Sequence, residues 1–90
     1  MEIENALKEL KSETNVKFRR LVLIAAHFFG APRINGSHHV FKTPWRGKPF
    51  VNLQKDGSKA KVYQVAQVKE ALIKLKDVQK ENDNETYQGI

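Results

Sequence analysis

At Gly30-Ala31-Pro32 the apolar period of this chain changes, and that change limits what it can fold into. From Val16 to Phe29 apolar residues recur at helical spacing, whereas from Arg33 to Lys55 short segments alternate between two faces. Gly30 can take the positive φ that ends a helix, and Pro32 cannot continue one. A helix followed by short, one-sided strands needs a second layer to bury its apolar stripe. Ninety residues therefore predict one small α+β domain.

The other boundaries follow from the same reasoning. Ile3, Ala6, Leu7 and Leu10 mark a short amphipathic helix over the first eleven residues, broken by Ser12-Glu13-Thr14-Asn15, with Asn15 as a candidate N-cap for the next helix. That helix carries Phe18, Leu21, Val22, Ala25, Phe28 and Phe29 on its main face, and Leu23 and Ile24 beside it; the N-terminal helix is expected to cover those two. Arg33-Ile34-Asn35 reads as a strand, Gly36-Ser37 as a tight turn, and His38 to Thr43 as a second strand ended by Pro44. Phe50 to Lys55 reads as a third strand, closed by Asp56-Gly57. The last helix starts near Tyr63, with Val65, Val68, Leu72, Leu75 and Val78 as its stripe, and should fray near Glu81-Asn82-Asp83-Asn84. The expected organisation is an N-terminal extension and linker (1–15), the domain proper (16–80) and a flexible tail (81–90). Both main helices pack on one face of a three-stranded antiparallel sheet, leaving the other face wet.

Charge is distributed unevenly. Residues 1–15 sum to −2, residues 16–61 to +9 and residues 62–90 to −1, giving the net +6. A basic middle between mildly acidic ends suits a polyanionic partner on one surface. The absence of cysteine removes disulfides and the common structural zinc sites, and fits a reducing, cytoplasmic location. No apolar run approaches a membrane span, and Met1-Glu2-Ile3-Glu4 lacks the basic start of a signal peptide.

Within the basic segment, Gly36-Ser37-His38-His39 sets imidazoles at a turn, at the head of a strand. Strand parity puts Phe41 in the core with His39 and Thr43 on its side, and His38, Val40 and Lys42 on the other. Val51 and Leu53 form the matching core pair, leaving Phe50, Asn52 and Gln54 open. His38, Lys42, Asn52 and Gln54 then line one exposed surface, although a one-residue register shift exchanges His38 for His39. Free imidazole titrates near ~6.5 and can take a proton from a ribose 2′-OH near neutral pH, giving a 2′,3′-cyclic phosphate without a metal. Arg33, Ser37, His39, Lys42, Lys59 and Lys61 are the candidate RNA contacts, the last two beside a helix N-terminus. No cofactor and no metal site is expected, because adjacent strand residues point apart and no carboxylate cluster supplies further ligands. His27 reads as a packing or boundary residue, Trp45 equally as a base-stacking residue or a loop anchor, and Tyr63 as a helix-start anchor.

These residues also carry a resemblance. Phe29-Gly30, Gly36-Ser37-His38-His39-Val40-Phe41-Lys42, Val51-Asn52-Leu53-Gln54 and Gly57-Ser58-Lys59-Ala60-Lys61-Val62-Tyr63-Gln64-Val65 resemble the HicA family, the small toxins of HicA–HicB toxin–antitoxin systems. The resemblance runs from about residue 16 to residue 77. It implies a double-stranded-RNA-binding-domain-like (dsRBD-like) fold and an mRNA interferase, an endoribonuclease that cuts messenger RNA. It also implies His38, the histidine after Gly-Ser, as the catalytic residue. The partner it implies is a HicB-type antitoxin, through which any contact with DNA would be indirect. The chain departs from that pattern in Val62, where many relatives have proline, in Pro32 at the first strand, and in the added N-terminal helix.

Overall fold

The chain forms α1 (Ile3–Glu9), α2 (Phe18–Phe29), β1 (Arg33–Asn35), β2 (His38–Phe41), β3 (Val51–Gln54) and α3 (Val62–Gln88). The computed structural model describes the backbone of residues 1–88 and the side chains of residues 1–80. Helix α3 continues through Glu81–Asn84, where polar composition predicts fraying, and ends at Gln88. Residues 89–90 and the side chains beyond Lys80 lie outside the described residues, and so does any test of a flexible tail at 81–90.

The three strands form one antiparallel sheet in the order β1-β2-β3. Arg33 pairs with Val40 and Asn35 with His38 across the Gly36-Ser37 turn, while His39 pairs with Leu53 and Phe41 with Val51. Gly36 has φ +61° and Ser37 does not share the positive sign, as in the two-residue hairpin turn that takes glycine first. Phe41, Val51 and Leu53 are buried, with Leu21, Ile24 and Ala25 of α2 and Val65, Val68, Ala71 and Leu72 of α3 in the same core. Helix α2 packs on β2 and α3 on β3, so the apolar side of the sheet meets both helices. The α+β architecture, with its three-stranded antiparallel sheet, is the one the alternating segments predict.

Backbone groups join the layers at two places. Helix α2 starts at Phe18 rather than Val16, and its N-cap is Lys17, not Asn15, which stands two residues earlier at φ +57°. No side chain caps this end. Instead Phe18 N–H donates to the Ser58 carbonyl at 2.9 Å, and Ala60 N–H donates to the Val16 carbonyl at 2.7 Å, around a Lys17–Lys59 bridge. A tertiary strand contact thus satisfies a donor that a polar cap would otherwise take. At the sheet's outer edge, Asn52 N–H donates to Gln67 Oε1 at 2.9 Å, and Gln64 Nε2 donates to the Gln54 carbonyl at 3.1 Å. Two glutamines three apart on α3 thereby occupy backbone groups two apart on β3. An open strand edge would invite pairing with another chain, and this one is partly plugged.

Helix α1 packs on α3 and buries Ala6 and Leu10 completely. Its acids reach outward: Glu9 binds Arg20 through two hydrogen bonds of 2.5 and 2.8 Å, Glu4 binds Lys76, and Glu13 in the linker binds Lys69 at 3.1 Å. Exposed pairs of this kind contribute little, so burial of Leu10 is what holds α1 in place. The Arg20 hydrogen bond holds the Glu9 carboxyl below the usual carboxylate range. Its small contribution is present at neutral pH and is lost as pH falls through that lowered pKa. The expected cover by α1 is not realised at Leu23, which remains 53% exposed, while Ile24 is fully buried in the common core.

Leu10→Ala is expected to lower the free energy of unfolding by ~2–5 kcal/mol in urea denaturation. Leu23→Ala should stay within ~0.5 kcal/mol. Equal losses at the two positions would mean that α1 covers Leu23 after all.

Candidate functional site

The uncovered face of the sheet carries Arg33 and Asn35 from β1, His38 and Val40 from β2, and Asn52 and Gln54 from β3, all exposed. This is the face that strand parity assigns to His38. Phe41, three residues along and on the opposite side, is 4% exposed, which fixes the register and settles the His38/His39 exchange in terms of orientation. Lys42 follows the last residue of β2, so that strand is shorter than the expected His38–Thr43. It is exposed and adjoins the face rather than standing within its ladder.

His38 Nδ1 lies 3.3 Å from Asn52 Oδ1. An amide oxygen can only accept, so Nδ1 donates and a neutral His38 carries its lone pair on Nε2. Arg33, opposite Val40 on this face, and Lys42, just past the end of β2, make no ion pair among the described residues. Ser37 contributes its backbone: its carbonyl accepts from Lys55 N–H at 2.9 Å and from His39 Nδ1 at 3.2 Å. The turn is thereby tied to the end of β3 and, at the same oxygen, to the next histidine.

His39 points the other way, as parity requires. It is half-buried, with its ring 5.3 Å from that of Phe18 in an edge-on arrangement, and it lines a groove of about 650 Å³ beside α2. The two adjacent histidines therefore serve opposite faces of one strand and cannot meet at a single phosphate.

The remaining candidates scatter. Lys59 donates to Asn15 Oδ1 at 3.2 Å and Lys61 binds Asp56 at 3.1 Å, which raises the Lys61 pKa, chiefly through that hydrogen bond. Both sit on the segment between β3 and α3, not beside His38. Trp45 is a loop anchor: Nε1 donates to the Pro49 carbonyl at 2.9 Å, its ring meets Phe29 edge-on at 5.9 Å, and Lys74 lies over it at 5.5 Å. Tyr63 is 60% exposed, with its hydroxyl 3.3 Å from Gln64 Nε2. His27 is exposed, with Nε2 3.1 Å from the Met1 carbonyl and its ring against Phe28. Sequence reasoning left three groove residues, Lys17, Arg19 and Lys55, out of the candidates, since Lys17 and Arg19 stand at the start of α2 and Lys55 follows β3, and only the fold brings them together. Among the described residues no group of three His, Asp or Glu side chains is placed to hold a metal ion, and no helix is long and apolar enough to cross a membrane.

No family model matches this chain, and no curated protein or solved structure matches it either.

The geometry predicts a fixed ring tautomer at His38. Above the pH at which the imidazole is protonated, its nitrogen chemical shifts should report a proton on Nδ1, and Asn52→Ala should release that preference without altering the fold. Identical ring shifts in the two proteins would show that Asn52 does not orient the imidazole.

Proposed function

We propose that this protein is a metal-independent endoribonuclease that cuts messenger RNA, the toxin half of a HicA–HicB-type pair with a dsRBD-like fold. The observation that carries the reading is His38, held through Nδ1 by Asn52 on an uncovered sheet face that also carries Arg33 and is adjoined by Lys42, two cations without acidic partners among the described residues. His38 Nε2 takes the proton of a ribose 2′-OH, and the 2′-oxygen attacks the adjacent phosphorus. The bond to the 5′-oxygen breaks, that oxygen gains a proton from water, and the upstream product ends in a 2′,3′-cyclic phosphate. Arg33 and Lys42 supply positive charge to the face on which the phosphorane develops. Lys59 and Lys61, beside the start of α3, bind the RNA backbone farther along. A cytoplasmic HicB-type antitoxin of acidic character restrains the enzyme by covering the sheet face, and DNA contact is indirect, through that partner.

The test is incubation with a long single-stranded RNA in EDTA, with end mapping, for wild type, His38→Ala and His39→Ala. Cleavage by wild type with a loss of at least ~100-fold in His38→Ala is expected, since positioned acid–base groups contribute ~10²–10⁴. A loss in His39→Ala with His38→Ala unimpaired would transfer the role to the groove side of β2. Binding without cleavage in every protein would leave a non-catalytic RNA-binding module.

The basic face generates a second expectation. Arg33→Ala or Lys42→Ala should weaken RNA binding and reduce the slope of log K against log salt by about one phosphate contact, ~0.7 for single strands. An unchanged slope would remove that residue from the interface.

A further inference from the structure

The groove beside α2 has a composition that the His38 face lacks. Phe18, Val22 and Leu23 form its apolar lining, and Lys17, Arg19 and Lys55 supply three cations that make no ion pair among the described residues. Its volume of about 650 Å³ falls in the ~300–1,000 Å³ span of small-molecule sites and suits one nucleotide. The decisive group is His39. Its Nδ1 faces the Ser37 carbonyl at 3.2 Å, and a carbonyl can only accept. Nδ1 therefore carries the proton, and a neutral imidazole presents Nε2 as an acceptor. The edge-on contact with Phe18 fixes the ring plane.

An acceptor placed among lysine and arginine donors selects its ligand. A bare anion would satisfy the cations but would bring acceptors against Nε2, and so would the carboxylates of an acidic peptide. A ligand with a hydroxyl donor next to an anion satisfies both, and a ribose 2′-OH beside its 3′-phosphate is such a pair. A deoxyribose would leave Nε2 unpaired, which carries a penalty.

We propose that this groove is a ribonucleotide subsite, in which Lys17, Arg19 and Lys55 hold a phosphate and His39 Nε2 accepts the hydrogen bond of the neighbouring ribose 2′-OH. The proposal rests on the RNA reading above and adds to it a place where RNA is told from DNA. Since His38 and His39 lie on opposite faces of β2, the bound strand passes around the Gly36-Ser37 hairpin tip and engages both.

The experiment measures binding of a short oligoribonucleotide and its 2′-deoxy counterpart to the His38→Ala protein by fluorescence anisotropy. The ribo form is expected to bind roughly tenfold tighter, as a lost hydrogen bond of ordinary strength requires. His39→Phe in that background should abolish the preference while retaining the deoxy affinity, His39→Gln should restore part of it, and Arg19→Ala should weaken both oligonucleotides alike. In the His38→Ala protein, which keeps His39 and leaves the RNA uncut, ring signals of His39 should move with the ribo form more than with the deoxy form, which guards against a misfolded His39 variant. Equal affinity for the two oligonucleotides, a preference that survives His39→Phe, or an acidic peptide that moves His39 where RNA does not would each overturn the proposal. The two readings fail separately. Cleavage with equal ribo and deoxy affinity sinks the groove alone, whereas a ribose preference without cleavage sinks the nuclease alone.

Discussion

Phe41, Val51 and Leu53 press the sheet against α2 and α3, and the functional geometry depends on that one-sided burial. Strand side chains alternate strictly, so sinking Phe41 into the core forces His38 and Val40 outward and turns His39 toward the helices. A three-stranded sheet covered on one side has no freedom to present both histidines together. The same packing that stabilises the domain thus separates one imidazole onto an open face and the other into a groove.

The helices do more than supply apolar surface. Gln64 is 1% exposed, an unusual burial for an amide, and its Nε2 meets the β3 edge while Gln67 meets the same edge one helical turn later. Helix α3 is thereby held in rotation as well as position, since a slip of one residue would take both amides away from the strand. The Val16–Ala60 and Phe18–Ser58 backbone hydrogen bonds fix the start of α2 in the same manner. These contacts set where Lys17 and Arg19 stand relative to Lys55 and His39, and so they shape the groove.

Charge is arranged by subtraction. The basic middle segment carries ten cations, and the acids of the N-terminal extension bind Arg20 from it and Lys69 and Lys76 from α3. None of these three lines the groove or belongs to the candidate RNA contacts. Lys17, Arg19, Arg33, Lys42 and Lys55 keep no acidic partner among the described residues. The extension directs its ion pairs to α2 and α3 rather than to Arg33 or Lys42 at the His38 face.

Periodicity by itself determined the element order, the turn at Gly36-Ser37 and that the two histidines of β2 take opposite sides, because these follow from local backbone geometry and the two-residue strand repeat; which of them faces outward was decided by the burial of Phe41. It also determined most of the α3 stripe, though not the burial of Gln64, since a glutamine in a helix reads as polar surface unless an unpaired strand edge is known to lie across from it. Tertiary structure alone decided the start of α2, where a backbone bridge from residues 58–60 does the work sought from Asn15, and the exposure of Leu23, which depends on α1 choosing α3. It alone decided the groove as well. Lys17, Arg19, His39 and Lys55 come from three separate stretches of chain, and no pattern within any one of them records that the fold brings them around a single space.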